Sequence, residues 1–189
     1  MDQAFQKEQF DEEKVAAQDV TQDYEKEVAV LEKVAMQGQA EAQCCLGAAY
    51  FKGHGVKQEH EKAVEWYEKA AAQEYIEAQF LLGGVYSHGN GVKQDYKKAA
   101  EWYEKAAAQG HVEAQCSLGN AYYNGQGVAQ DYKKAVEWYK KAAAQQIVDA
   151  QIGLGDAYYN GEGVEKDYVK AVGWYEKAAA QQNADAQYA

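Results

Sequence analysis

Apolar residues recur along this chain at helical spacing, and the helices they imply recur with a longer period of their own. In residues 76–111, Ala78, Leu82 and Tyr86 stand four apart and form one stripe. Gly83 beside the stripe lacks a side chain where another helix has to come close. Gly89 and Gly91 follow, and glycine adopts the left-handed conformation on which helices end. A second apolar face then runs through Tyr96, Ala99, Tyr103, Ala106 and Ala107, with Asp95 ahead of it as an N-cap. The pattern predicts a helical hairpin with arms at about 77–87 and 95–109. It predicts further pairs at about 41–51/59–73, 113–123/131–145 and 149–159/167–181. Asp131 and Asp167 cap their second arms, whereas Glu59 is a weaker cap.

The hairpins are copies of one another. Trp66, Trp102, Trp138 and Trp174 recur every 36 residues, and Gln43, Gln79, Gln115, Gln151 and Gln187 keep the same step. Full copies span 40–75, 76–111, 112–147 and 148–183. Residues 23–39 read as a degenerate half-copy, 1–22 as an acidic tail or capping helix, and 184–189 as the truncated start of a fifth copy. An isolated hairpin cannot bury its apolar face, so neighbours must stack. The expected fold is all-α: a right-handed α/α superhelical solenoid of tandem 36-residue hairpins. Each Trp lies at the edge of its apolar face and is expected to seal the seam between adjacent copies.

Composition narrows the class of partner. The chain has no proline, all 19 cationic residues are lysines, and the formal charge is −11. Phosphate backbones require a basic patch, and no segment has one, so nucleic acid is excluded as a partner. An anionic membrane surface is disfavoured on the same ground. No apolar run approaches 18 residues, so no membrane insertion is expected. The first residues lack a secretory pattern. The expected location is a soluble one, the bacterial cytoplasm or an exported site reached after removal of a signal. Cys44 and Cys116 share a position that Phe80 and Ile152 fill elsewhere, which reads as apolar filler rather than metal or redox chemistry.

The run Ala78-Gln79, Leu82-Gly83, Tyr86, Gly89, Gly91-Val92, Asp95, Lys98-Ala99, Trp102-Tyr103 and Lys105-Ala106-Ala107 resembles the Sel-1-like repeat family, relatives of the tetratricopeptide repeats. The resemblance covers residues 40–189, and 23–39 more loosely. It implies an adaptor or scaffold, since such proteins assemble complexes in bacteria and in eukaryotic quality control. Some exported members are linked with peptidoglycan-derived ligands. Others carry a cysteine pair within each repeat, which this chain lacks.

No catalytic constellation emerges. The paired glycines of Gly53-His54-Gly55 follow a helix and recur in every copy, unlike a phosphate-cradling loop. Of the four histidines, His54, His60, His88 and His111, the loop residues His54 and His88 have no Asp or Glu four residues away to complete a compact metal set. His60 occupies the place of Tyr96, Tyr132 and Tyr168, as an apolar-edge substitute. Residues 156–162 lack the alternating ligands of a calcium loop. No enzyme activity, cofactor or metal is expected.

A binding surface is expected where copies differ, because framework positions are tied to stacking. One face of the first helix carries Glu41, Cys45 and Lys52 in copy one, and Glu77, Leu81 and His88 in copy two. Copy three supplies Glu113, Ser117, Asn120 and Asn124, and copy four Asp149, Asp156 and Asn160. By analogy with tetratricopeptide arrays, this face lines a concave groove. Its acidic row, Glu41, Glu77, Glu113, Asp149 and Asp185, suits a basic protein or peptide, and its asparagines suit the backbone of an extended one. Two alternatives stand beside this reading: a binder of a small molecule or cell-wall fragment, and a purely structural or engineered array. The last copy was not rewritten with a polar outer face, so either the chain continues beyond Ala189 or, as the favoured expectation, it self-associates through the C-terminal repeat.

Overall fold

The computed structural model describes residues 24–187, with side chains to Gln181. Nine helices and no strand occur among them: α1 (24–36), α2 (Ala40–Lys52), α3 (His60–Ala71), α4 (Ile76–His88), α5 (Tyr96–Ala108), α6 (Val112–Asn124), α7 (Tyr132–Ala144), α8 (Val148–Asn160) and α9 (Tyr168–Gln187). The proposed tail or cap over 1–22 lies outside the described residues. Consecutive helices pair as hairpins, as the repeat predicts. Two compact units are formed. One runs to Ala78 and includes Asn90–Val92, and the other comprises Gln79–Gly89 and the chain from Lys93 onward.

Local chemistry accounts for the helix ends. Asp95 and Asp131 each accept from the backbone N–H groups two and three residues on, at 3.0–3.1 Å. Asp167 does the same for Val169 and Lys170. Glu59 makes no such bond, since its longer side chain does not close the tight ring. The loop glycines Gly53, Gly125 and Gly161 end their helices in the left-handed conformation. A glutamine staples each of three hairpin loops, Gln58 to the carbonyl of Phe51, Gln94 to Ser87 and Gln130 to Tyr123.

In the first unit, Val28, Ala35, Ala42, Leu46 and Ala49 form a buried cluster on which Trp66 packs. In the second unit, hairpins stack through α5 on α6 and α7 on α8, and α6 also reaches α8. Trp174 of α9 packs against a cluster that includes Cys116, Val136, Tyr139 and Leu154, so it closes the seam between copies three and four. Each Trp is topped by the lysine three residues on, for example Lys141 Nζ at 3.7 Å from the Trp138 ring centre.

The recurrent glutamines are buried cross-links. Gln79 and Gln151 accept from Gln109 and Gln181 at 2.8 and 3.0 Å. Gln43 accepts from Gln73 and donates to the carbonyl of Ala35. The glutamine pairs tie the start of a first helix to the end of the second helix of its own copy, which fixes the hairpin at its open end, while the bond from Gln43 to Ala35 reaches back to α1.

Val172 and Ala179 are exposed, although Ala171 and Ala178 beside them are buried. The backbone of 184–187 does not start a separate helix but continues α9 unbroken. At the equivalent points Gly110 and Gln146 take positive φ, and that turn separates the helices on either side.

Candidate functional site

A tyrosine from each second helix crosses to the first-helix face through a gap left by glycine. A Cβ on Gly119 would lie 2.6 Å from Cδ1 and Cε1 of Tyr139, and one on Gly47 2.7 Å from the same atoms of Tyr67. Gly83 faces Tyr103 and Gly155 faces Tyr175 in the same way. The rings are therefore packed in the core while their hydroxyls reach the surface that carries the copy-specific residues.

What each hydroxyl meets differs between copies. Tyr139 donates to Asn120 Oδ1 at 2.7 Å and Tyr175 to Asp156 Oδ1 at 2.6 Å. Copy two has Gly84 at the place of Asn120 and Asp156, and the Tyr103 hydroxyl bonds to Ser87 and Ser117 instead. Burial and the Asp156 carboxylate push the Tyr175 phenol up to about 12. Burial also raises Tyr103 and Tyr139. These tyrosines were assigned from sequence only to the buried stripe. Their pairing with Gly83, Gly119 and Gly155 in every copy is the signal that could have found them.

Two hollows open on this face in the second unit. The first, about 220 Å³, is lined by Ser87, His88, Tyr96, Tyr103, Ser117 and Asn120 among others, with Gln126 at one side. The second, about 290 Å³, is lined by Asn120, Tyr123, Asn124, Tyr139, Asp149, Ile152, Gly153 and Asp156. Asn120 belongs to both, so the hollows adjoin. Of the residues singled out by sequence, the structure gathers His88, Ser117 and Asn120 in one hollow and Asn120, Asn124, Asp149 and Asp156 in the other. Leu81 and Glu113 lie on the same helices but line neither.

Asn160 donates to Glu162, which also accepts from Tyr123. That bond, ahead of burial, pushes the Tyr123 phenol up to about 12. In the first unit, Glu41, Cys45, Lys52 and Glu77 are exposed. Cys44 is buried, its thiol pushed up to about 12 chiefly by burial, and all three cysteines are free. The side chain of Asp185 lies outside the described residues.

His111, which the sequence left without a role, caps α6 by accepting from the backbone of Ala114 and stacks on Phe80 at 4.4 Å between ring centres. No cluster of three metal-ligating side chains occurs among the described residues. No described helix is long and apolar enough to cross a membrane.

The Sel1 repeat family model matches residues 40–75, 76–111, 112–146 and 148–183. Among solved structures, the chain is similar to a protective antigen of uropathogenic Escherichia coli strains that displays an SLR fold. That likeness has 43% identity and a TM-score of 0.79, over 82% of this chain and 33% of the antigen. A Sel1 repeat protein from Oxalobacter formigenes is 36% identical with a TM-score of 0.78, over 84% of this chain and 63% of that one. An immunity protein from Pseudomonas aeruginosa is 25% identical with a TM-score of 0.54, over 84% of this chain and 58% of that one. The chain thus spans a third of the antigen's length and under two thirds of the Oxalobacter protein's. No curated protein matches it.

Proposed function

Since the chain belongs to the Sel1 repeat family, we propose that it is a non-catalytic interaction module that holds an extended segment of a protein partner on the first-helix face of its second unit. The observation that carries this reading is the pair of adjoining hollows built from residues that change between copies, with Asn120 shared between them. Tyr139 occupies Asn120 Oδ1, which leaves the Nδ2 donors for a partner's carbonyl. Asn124 supplies a further exposed amide. Asp149 and Asp156 give one hollow an acidic wall, which favours a basic segment. Each hollow is smaller than the roughly 300–1,000 Å³ of a drug-sized ligand site, which supports a run of side chains over one compact small molecule.

Fluorescence anisotropy with matched sets of cationic, neutral and anionic 12-residue peptides tests the reading. The cationic set is expected to bind best, and its affinity to fall as salt shortens the screening length from ~10 Å at 0.1 M to ~3 Å at 1 M. Asp149→Lys and Asn120→Ala should each weaken binding without loss of helicity. Equal binding by all three sets, unchanged in both variants, would reject it.

Self-association through α9 is a second contact that a specific observation favours. Val172 is 53% exposed, whereas its counterparts Ala100 and Val136 are buried, and Val169 is 84% exposed. Val169→Lys with Val172→Lys should shift sedimentation toward the monomer. A parent chain that is already monomeric at high concentration would remove this contact from the account.

A further inference from the structure

We propose that the hollow between α4, α5 and α6 is a receptor for one phenolic side chain, a tyrosine of the partner. This inference rests on the interaction reading above and adds the identity of the residue inserted.

In copies one, three and four the last turn of the first helix carries an aromatic ring: Phe51, Tyr123 and Tyr159. Each packs edge-on against the first residue of the following helix. The ring centres of Phe51 and His60 are 4.9 Å apart, and those of Tyr123–Tyr132 and Tyr159–Tyr168 are both 5.2 Å apart. Copy two has Ser87 at that place, with Tyr96 as the first residue of the following helix. The hollow opens there, with Ser87, Tyr96 and Tyr103 in its wall.

Copy three shows what the same surroundings hold when a ring is present. Tyr123 lies against Tyr132 and, at 6.5 Å between centres, against Tyr139. Its hydroxyl donates to Glu162 in the loop of the next copy. One repeat earlier, the counterparts of Tyr132, Tyr139 and Glu162 are Tyr96, Tyr103 and Gln126, and all three line the hollow. Its walls therefore repeat the seat of a tyrosine side chain, two rings plus a polar group at the hydroxyl end. Gln126 differs from Glu162 in carrying no charge, and its amide both donates to and accepts from a phenol. Ring contacts favour an aromatic guest over an aliphatic one, and the amide favours tyrosine over phenylalanine.

The test uses the full chain and N-acetyl-tyrosinamide as probe, followed by NMR of the backbone amides of Ser87, Tyr96 and Ser117 and the side-chain amide of Gln126. These signals should move on titration, and N-acetyl-phenylalaninamide should bind several-fold more weakly. Ser87→Tyr restores the ring found in the other copies, so it should raise the Tm and lower affinity for the probe by about tenfold or more. Gln126→Leu, at an exposed loop position, should make the two probes bind alike. Unmoved signals, or undiminished probe binding by Ser87→Tyr, would overturn the proposal. If Ser87→Tyr takes up the cationic peptides as well as the parent does while Asn120→Ala does not, the tyrosine seat fails and the interaction reading survives. If neither change affects peptide binding, both fail.

Discussion

Gly119 and Tyr139 compete for one space: a Cβ on the glycine would lie 2.6 Å from the tyrosine ring, closer than carbon atoms approach without displacement. Exchanging glycine for alanine inside a helix ordinarily stabilises by up to about 1 kcal/mol. Here the sign should reverse. Gly119→Ala is expected to destabilise by ~1–3 kcal/mol, the usual consequence of overpacking. In a Tyr139→Leu background the penalty should shrink, and urea unfolding of the four species forms a double-mutant cycle. Additive effects would show that the ring does not rely on the glycine.

The caps offer an internal comparison. Asp131 accepts two backbone N–H groups at the start of α7, while Glu59 at the equivalent place on α3 accepts none. Asp131→Ala should cost ~1 kcal/mol, and Glu59→Ala should change stability by less than about 0.5 kcal/mol. Equal losses in thermal unfolding would contradict the capping account.

Alkaline pH should loosen the protein through its tyrosines. An ordinary phenol titrates near 10, while Tyr123 and Tyr175 are pushed up to about 12. The folded state holds these protons more tightly than the unfolded one. Their contribution is therefore complete below pH ~10 and is lost as pH climbs from there toward 12. Cys44, raised to about 12, and Cys116, raised to about 11, act in the same sense. Tyr123→Phe with Tyr175→Phe should flatten the decline of the urea midpoint over this window. An unchanged slope would place the titration elsewhere.

Thiol reactivity should separate the three cysteines. Cys45 is exposed, while Cys44 and Cys116 are buried with strongly raised thiols. Iodoacetamide on the native chain should label Cys45 first, and mass spectrometry of peptides reads the order. Early labelling of Cys116 would show that its burial between hairpins is transient.

Most of the fold was legible because stacking repeats impose the same demands at every copy. Trp174, Leu82 and Asp95 do the jobs their spacing predicts, at a seam, in a core and at a helix start. Of the copy-specific residues on the first-helix face, His88, Ser117, Asn120, Asn124, Asp149 and Asp156 line hollows. What sequence concealed were relations across helices. Helical spacing puts Tyr139 on a buried stripe, yet says nothing of where its hydroxyl emerges, because that depends on Gly119 in the facing helix. Gln79 and Gln109 recur in step, but only packing brings them to 2.8 Å. Ser87 stands where three other copies place a ring, Phe51, Tyr123 and Tyr159, and only the packing shows the hollow that opens beside it.

The most direct test of the central claim is an NMR map of amide shifts on the full chain during titration with the cationic peptide set. The account predicts that the largest changes fall on α6 and α8, at Ser117, Asn120, Asn124, Asp149 and Asp156, and that they reverse in high salt. Changes centred on the outer faces of α5 and α7, at Glu101, Glu104, Glu137 and Lys140, with the first-helix face unmoved, would contradict it.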